Sequence, residues 1–469
     1  MVLTLTPEQS QVVEDHVHNI FVAACPGSGK TRVIVEKLIR ELQMDNRVVA
    51  ITYTNKAAQE IQQRVQNRMD TNANFLWAGT IHKFCLDRIL IPFGERCPEI
   101  GCGFEPATDE DCVVVENIVK RELLLLPGNK SLNYGIEIDG TPVDKRNPQA
   151  METAYTLFLE MGKLHYDQIL WYSNVLLRDN PDIAELLASE IDFLAVDEYQ
   201  DTQKLQFEVL MRLAAAGGPG LRFLVVGDPE QAIYLGPGIE PLSHKQLEDK
   251  LGKTFIQVRL DKNYRSEPHI VEFFRRFQVE PASIVPMKES SGTGSLTHNH
   301  VHYTDLGAQV IDMVRYTRAQ GVPVEDICVM APTWWMLQDL VNRLEDFPED
   351  VDFVYNMGAE QGKPGLKLDT TVGVKGAEYH TVIVFGLMHG VLPHWVEIIE
   401  SMDGGFTKAM HKLYVLASRA EVNLHFLTDI ERPVGKQGSK YTPAKLYKEM
   451  VINGGGIPEW QKKDLPGIS

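Results

Sequence analysis

The stretch Ile20-Phe21-Val22-Ala23-Ala24-Cys25-Pro26-Gly27-Ser28-Gly29-Lys30-Thr31 (IFVAACPGSGKT) decides how the chain is read. Ile20–Ala24 suits a buried strand, Cys25–Gly29 a turn of small residues, and Lys30-Thr31 opens a helical pattern. That succession makes a phosphate-binding loop. Small residues let backbone N–H groups curl around phosphate oxygens, and the helix start adds partial positive charge. Lys30 would then reach the β- and γ-phosphates, and the Thr31 hydroxyl would ligate Mg²⁺. The general pattern has glycine where this chain has Ala24. A plain strand-to-helix turn is the bland alternative, and the order of elements around the loop argues against it.

Outward from the loop, short apolar runs alternate with helical patterns, which predicts an α/β fold of parallel sheets covered by helices. Candidate strands are Ile20–Ala24, Arg47–Tyr53, Phe193–Asp197, Phe223–Gly227, Ile327–Ala331 and Val382–Leu387. Several end at polar residues, and open parallel sheets bind ligands at the carboxyl ends of their strands. The alternation breaks between 91 and 190, which reads as a mostly helical insert. The expected division is a first domain at 1–90 and 191–254, the insert at 91–190, a second domain at 255–429 and a tail at 430–469.

The chain has 469 residues, 44% apolar and 23% charged, the balance of a globular protein. No apolar run is long enough to span a membrane, and the N-terminus lacks a signal-peptide pattern, so a cytoplasmic, membrane-free protein is expected. Six cysteines suggest thiols rather than a disulfide framework. Cys97, Cys102 and Cys112 lack the paired spacing of zinc sites. The net charge of −18 would repel nucleic acid, so any such partner must meet a local basic or aromatic groove.

Phe193-Leu194-Ala195-Val196 runs into Asp197-Glu198-Tyr199-Gln200-Asp201. Adjacent carboxylates at a strand end are costly unless a cation joins them. Asp197 suits a Mg²⁺ contact and Glu198 a base that orients attacking water. With the phosphate loop, the pair points to nucleoside triphosphate hydrolysis. Arg265 and Arg419 lie far downstream, and such an arginine at the γ-phosphate contributes roughly 10³–10⁵ in rate. If both act there, nucleotide binds between two domains.

The order of these motifs resembles the UvrD/Rep/PcrA family of superfamily 1 DNA helicases. Leu5-Thr6-Pro7-Glu8-Gln9 is similar to its adenine-reading motif, with Gln9 as the reader, and Cys25 to Arg32 is similar to its phosphate loop, in which Ala24 is the usual residue. Ile51-Thr52-Tyr53-Thr54-Asn55 and Gly79-Thr80-Ile81-His82 resemble DNA-contacting segments, which the resemblance extends to Tyr53, Asn55 and His82. Val196 to Thr202 resembles the metal and base motif. Gly227-Asp228-Pro229-Glu230-Gln231-Ala232-Ile233-Tyr234 resembles the coupling motif, with Gln231 sensing the γ-phosphate and Tyr234 touching DNA. Asn263-Tyr264-Arg265-Ser266 is similar to the segment whose tyrosine stacks on adenine. Lys375-Gly376-Ala377-Glu378 resembles the ribose-binding motif, through Glu378, and Leu413 to Ala420 resembles the last motif, with Arg419 as the finger. The resemblance implies two RecA-like P-loop domains, ATP and Mg²⁺ as ligands, and 3′-to-5′ movement on single-stranded DNA or a tailed duplex.

The departures are local. Leu235-Gly236-Pro237-Gly238 stands where the family carries an aromatic and an arginine that grip DNA, and Val372 replaces its histidine. Too few residues separate Arg265 from Lys375 for the family's second insert. These departures, with the acidic insert around Asp109-Glu110-Asp111, motivate an alternative: an ATP- and DNA-dependent sensor subunit of a nuclease or defence complex. Trp334-Trp335 is a candidate extra stacking platform or a packed pair. His298, His300 and His302 would share one strand face, as metal ligands or as an exposed face.

Overall fold

A parallel strand covered by helices on both sides needs apolar residues at nearly every position. The strand runs around the phosphate loop meet that condition. The computed structural model describes residues 4–69, 75–101, 103–123, 132, 134–143, 145, 147–233, 242–344, 353–355, 365–394, 397–398, 403, 405–434, 439–440, 442–453 and 457. The chain divides into two compact units: residues 1–24, 30–229 and 235–260, and residues 25–29, 230–234 and 261–469.

The first unit holds a parallel sheet of strands β1 (Asn19–Ala24), β2 (Val48–Thr52), β3 (Leu76–Thr80), β4 (Phe193–Val196), β5 (Arg222–Gly227) and β6 (Phe255–Leu260). Their order across the sheet is β3-β2-β4-β5-β1-β6. Successive side chains serve opposite faces. Ile20, Val22, Phe193, Ala195, Leu224 and Val226 pack on one side with the helix α1 (Pro7–Glu14) and the helix α2 (Lys30–Gln43), whereas Phe21, Leu194, Val196, Phe223 and Val225 pack on the other. The strand at 255–260 therefore corrects the expected start of the second domain. Val258 and Leu260 share a core with β1, and Ile20 is in register with Ile256.

The helical insert is also smaller than expected. Helices α3 (Tyr166–Asp179) and α4 (Pro181–Ser189) put Ile169, Leu176, Ile183 and Leu187 into the same core as Phe21 and Val49, so they cover the sheet. Among the described residues of the insert, the helices at Asp109–Glu122 and Pro148–Glu160 build a separate small core from Val115, Val119, Ala154 and Phe158.

The second unit repeats the architecture. Strands β7 (Ser295–His302), β8 (Ile327–Ala331), β9 (Phe353–Tyr355), β10 (Leu366–Thr370), β11 (Tyr379–Phe385) and β12 (Ala420–Ile430) are parallel, in the order β7-β12-β11-β8-β10-β9. One face packs on helices Leu306–Ala319 and Trp334–Leu344, the other on Pro268–Phe274 and Phe406–Ala417. The expected tail is partly core: Leu446, Tyr447 and Val451 are buried, and the Tyr447 hydroxyl lies 2.9 Å from Thr428 Oγ1. Among the described residues no helix is long and apolar enough to cross a membrane.

Candidate functional site

In the first unit, β1 ends at Ala24 and α2 begins at Lys30, so the loop residues fall at a strand's carboxyl end and a helix start. Gly27 and Gly29 have φ of 66° and 83°, a conformation that glycine adopts without strain. Ala24, Cys25 and Ser28 are buried, and Thr31 and Arg32 are half-buried at the start of α2.

Lys30 Nζ lies 3.1 Å from Glu198 Oε1. Burial disfavours its ammonium, but Glu198, Asp228 and Asp197 outweigh that and raise its pKa. Asp197 follows β4 directly, and its Oδ1 accepts the Glu198 N–H at 2.9 Å. Burial, and then the Glu198 charge, hold Asp197 well above the usual carboxylate range. Glu198 itself is left-handed, with φ 52° and ψ 43°. Strain of that kind costs on the order of 1–3 kcal/mol and persists where the surroundings impose it. Three carboxylates around one lysine leave an excess of negative charge that a divalent cation would neutralise. Among the described residues no three His, Cys, Asp or Glu side chains converge as a complete metal site. A cation at Asp197 and Thr31 would thus take its remaining oxygens from phosphate and water, as Mg²⁺ does.

The second unit brings together the other expected groups. Arg419 is buried, and its Nη2 donates to Gln231 Oε1 at 2.9 Å while its Nε donates to the Val415 carbonyl at 3.0 Å. Lys375 Nζ donates to the Gln231 carbonyl at 2.8 Å. Arg265 Nε pairs with Glu378 Oε2 at 2.7 Å, so the expected γ-phosphate arginine and ribose carboxylate meet each other here. The loop residues counted with this unit are fastened by Asn263, whose Nδ2 donates to the Pro26 carbonyl at 2.7 Å, and by the Tyr264 N–H to the Gly27 carbonyl at 2.9 Å. A Cβ at Gly27 would lie 2.5 Å from Arg265 Cβ. The Tyr264 ring is 45% exposed, free to stack on a base. Gln9 is buried in a capping box with Thr6, which fixes the direction of its amide.

Of the nucleic-acid candidates, Tyr53 is exposed just past β2, and Asn55 is exposed at the start of the helix Asn55–Gln66. His82 is half-buried, and burial lowers its pKa. Tyr53, Thr80 and His82 line one cavity of ≈ 230 Å³ together with Asp197 and Glu198. Sequence reading missed Tyr166, an exposed ring at the start of α3 that meets the His82 ring edge-on at 5.6 Å. It lies far from His82 in sequence and in no motif read above. Tyr234 and Leu235-Gly236-Pro237-Gly238 lie outside the described residues, as does Cys102.

Three side readings come out mixed: Trp334 and His298 are packed, whereas Trp335 and His300 are exposed. Trp334 packs against the second unit's core, and Trp335 lies beside the buried Arg432 guanidinium at 5.9 Å. His298 is buried rather than on an exposed face; its Nε2 lies 2.8 Å from Thr428 Oγ1, and burial lowers its pKa to about 4. Cys97 is buried as a free thiol, and Cys112 is also free.

A phosphate loop between a parallel strand and a helix, with a carboxylate pair at the end of a nearby strand, defines a P-loop protein with RecA-like sheets. Residues 5–133 and 114–236 match the UvrD/REP helicase N-terminal domain, and the chain belongs to that family. It is 29% identical over 290 residues to the ATP-dependent DNA helicase Rep of Escherichia coli, covering 58% of this chain and 42% of that protein. Rep of Salmonella typhimurium is 30% identical over 289 residues, with the same coverage. The ATP-dependent DNA helicase PcrA of Staphylococcus aureus is 28% identical over 290 residues, 57% of this chain and 39% of that protein. The matched region spans about two fifths of the length of these relatives.

Proposed function

We propose that this chain is an ATP-driven motor on single-stranded DNA that moves 3′ to 5′ and unwinds tailed duplexes. One observation carries the reading: Asp197 and Glu198, the groups suited to hydrolysis, line the same cavity as Tyr53, Thr80 and His82, the groups suited to nucleic acid. Occupancy by a strand can therefore reach the hydrolytic carboxylates within a single unit. The names of the Rep and PcrA relatives, both ATP-dependent DNA helicases, support the same activity.

In this reading Gln9 and Tyr264 hold adenine, Glu378 holds ribose, and the loop from Ala24 to Arg32 cradles the phosphates. Lys30 grips the β- and γ-phosphates. Mg²⁺ held by Thr31 and Asp197 supplies charge neutralisation on the phosphate oxygens. Glu198 accepts a proton from the attacking water as its oxygen bonds to the γ-phosphorus and the bond to the β-phosphate oxygen breaks, giving ADP and phosphate. Gln231, Arg265 and Arg419 supply hydrogen bonds and positive charge at the γ-phosphate, and phosphate competes with Glu378 for Arg265. Tyr53, Asn55, His82, Tyr166 and Tyr234 contact the strand.

Steady-state ATPase with and without single-stranded DNA, beside unwinding of 3′- and 5′-tailed duplexes, tests this. Strong stimulation and unwinding of the 3′-tailed duplex alone are expected. Turnover unresponsive to any nucleic acid sinks the motor. The sensor-subunit alternative has no structural observation of its own in its favour.

A further inference from the structure

Glu198 is held from two sides, and only one holder is the loop lysine. Lys30 Nζ sits on Oε1 at 3.1 Å, and Gln200 Nε2 donates to Oε2 at 2.5 Å. Gln200 is buried, its Nε2 also lies 3.3 Å from Asp201 Oδ2, and its Oε1 accepts the Asp228 N–H at 3.1 Å. The backbone beneath this amide is kept clear: a Cβ at Gly227 would stand 2.2 Å from Gln200 Oε1 and 2.6 Å from the Tyr199 ring.

We propose that Gln200 is the positioning residue of the Glu198 base, tying the direction of that carboxylate to the backbone at Asp228. The inference rests on the hydrolytic reading of Glu198 above. An amide is the chemistry this place requires, with an acceptor at one end for a backbone N–H and a donor at the other for a carboxylate. The Asp228 N–H can only donate, so it fixes which end of the amide faces Glu198. Lys30 cannot grip phosphate and keep its contact with Glu198 unchanged. Once phosphate draws Lys30 away, water can approach Oε1 while Gln200 still donates to Oε2. Because Gln200 also hangs on Asp228, where β5 gives way to the segment leading to Gln231, a shift of that segment re-aims the base. Gly227 is required because any side chain there would push the amide off this line.

The test compares wild type, Gln200→Glu, Gln200→Met, Glu198→Gln and the Glu198→Gln/Gln200→Met double variant. It uses the full chain, saturating single-stranded DNA, ATPase kinetics and binding of a fluorescent ATP analogue. Gln200→Glu keeps the volume and the acceptor for Asp228, and replaces the donor by a carboxylate facing Glu198 and Asp201, so it exchanges attraction for repulsion. If Gln200→Met fails to fold, Gln200→Glu decides alone. Each Gln200 variant is expected to lower kcat by about tenfold or more, the scale of a lost charge-assisted hydrogen bond, with KM and analogue affinity held within about threefold. In the Glu198→Gln background, Gln200→Met is expected to change the residual single-turnover rate by less than about twofold, since both act through one carboxylate. Wild-type kcat in the Gln200 variants, or an equal further loss in the Glu198→Gln background, overturns the inference while the hydrolytic reading stands. No wild-type turnover, or full turnover by Glu198→Gln, overturns both.

Discussion

Lys30 and Glu198 touch each other, yet their replacement should have opposite signatures. Lys30 is the cation of a cluster that otherwise holds Asp197, Glu198 and Asp228. In the proposed role of Lys30, Lys30→Ala would remove the phosphate contact and leave the carboxylates to repel an incoming triphosphate, so nucleotide binding should be lost. Glu198→Gln keeps the volume and removes a negative charge next to the phosphates. Binding should persist while turnover falls by roughly 10²–10⁴, the usual share of a general base. Fluorescent-nucleotide titration and single-turnover phosphate release separate the two, and normal hydrolysis by Glu198→Gln would remove Glu198 from its role. Each of these residues is readable in the sequence because it sits in a short motif just past a strand, although 168 positions separate the two. Gln200 and Tyr166 are not readable in the same way. Gln200 acquires its role only when β5 places the Asp228 N–H on its Oε1, and Tyr166 only when α3 packs its ring on His82.

At the scale of elements, α2 is tied to β5 by a buried ion cluster. Lys37 and Glu41 are both buried and paired at 2.7 Å, and Arg222 grips Glu41 with both terminal nitrogens at 2.9 and 2.6 Å. Burial alone would raise the Glu41 pKa, but Arg222 and Lys37 outweigh it and hold the group at about 2. Its folded value lies below the ordinary 4.5, so its stabilisation is present above that pH and is lost as the pH falls toward 2. Glu41→Gln should cost about 3–5 kcal/mol at neutral pH, because the buried Lys37 and the half-buried Arg222 both lose their carboxylate. In urea unfolding the gap to wild type should close between pH ~4.5 and ~2. A gap independent of pH would assign the loss to packing. Polar groups also hid whole strands from sequence reading. Strand β12 carries Asn423, His425 and Thr428 inside the sheet, each with a hydrogen-bond partner on or beyond a neighbouring strand: Thr381, Thr297 and Tyr447. Such residues in series look like a loop until those partners are known. Strand β6 reads as part of the second domain for another reason: Gln257 and Arg259 are exposed, and its alternating edge pattern carries no sign that it pairs with β1.

For the whole molecule, a net charge of −18 sets how it can hold a nucleic acid. Two lysines, Lys56 and Lys83, stand close in sequence to the lining residues Tyr53 and His82 of the first unit's cavity. Lys56 is exposed, but Lys83 is paired with Asp87 at 2.9 Å, and Asp167 lies close enough to act on His82. The exposed groups able to bind are instead the rings of Tyr53 and Tyr166. Stacking supplies about 1–3 kcal/mol per base and is insensitive to salt, whereas each phosphate neutralised on a single strand adds about 0.7 to the salt slope. Binding that rests on two rings and one or two cations should therefore show a slope of log affinity against log salt shallower than about −2. Tyr53→Ala and Tyr166→Ala should each weaken binding by about 5- to 150-fold at every salt concentration, the fold-change equivalent of one lost stack. Fluorescence anisotropy with a labelled oligonucleotide across a salt series measures both. A slope steeper than about −4, with both tyrosine variants binding as wild type, would place the strand on a basic surface elsewhere in the chain and separate DNA contact from the cavity that holds Asp197 and Glu198.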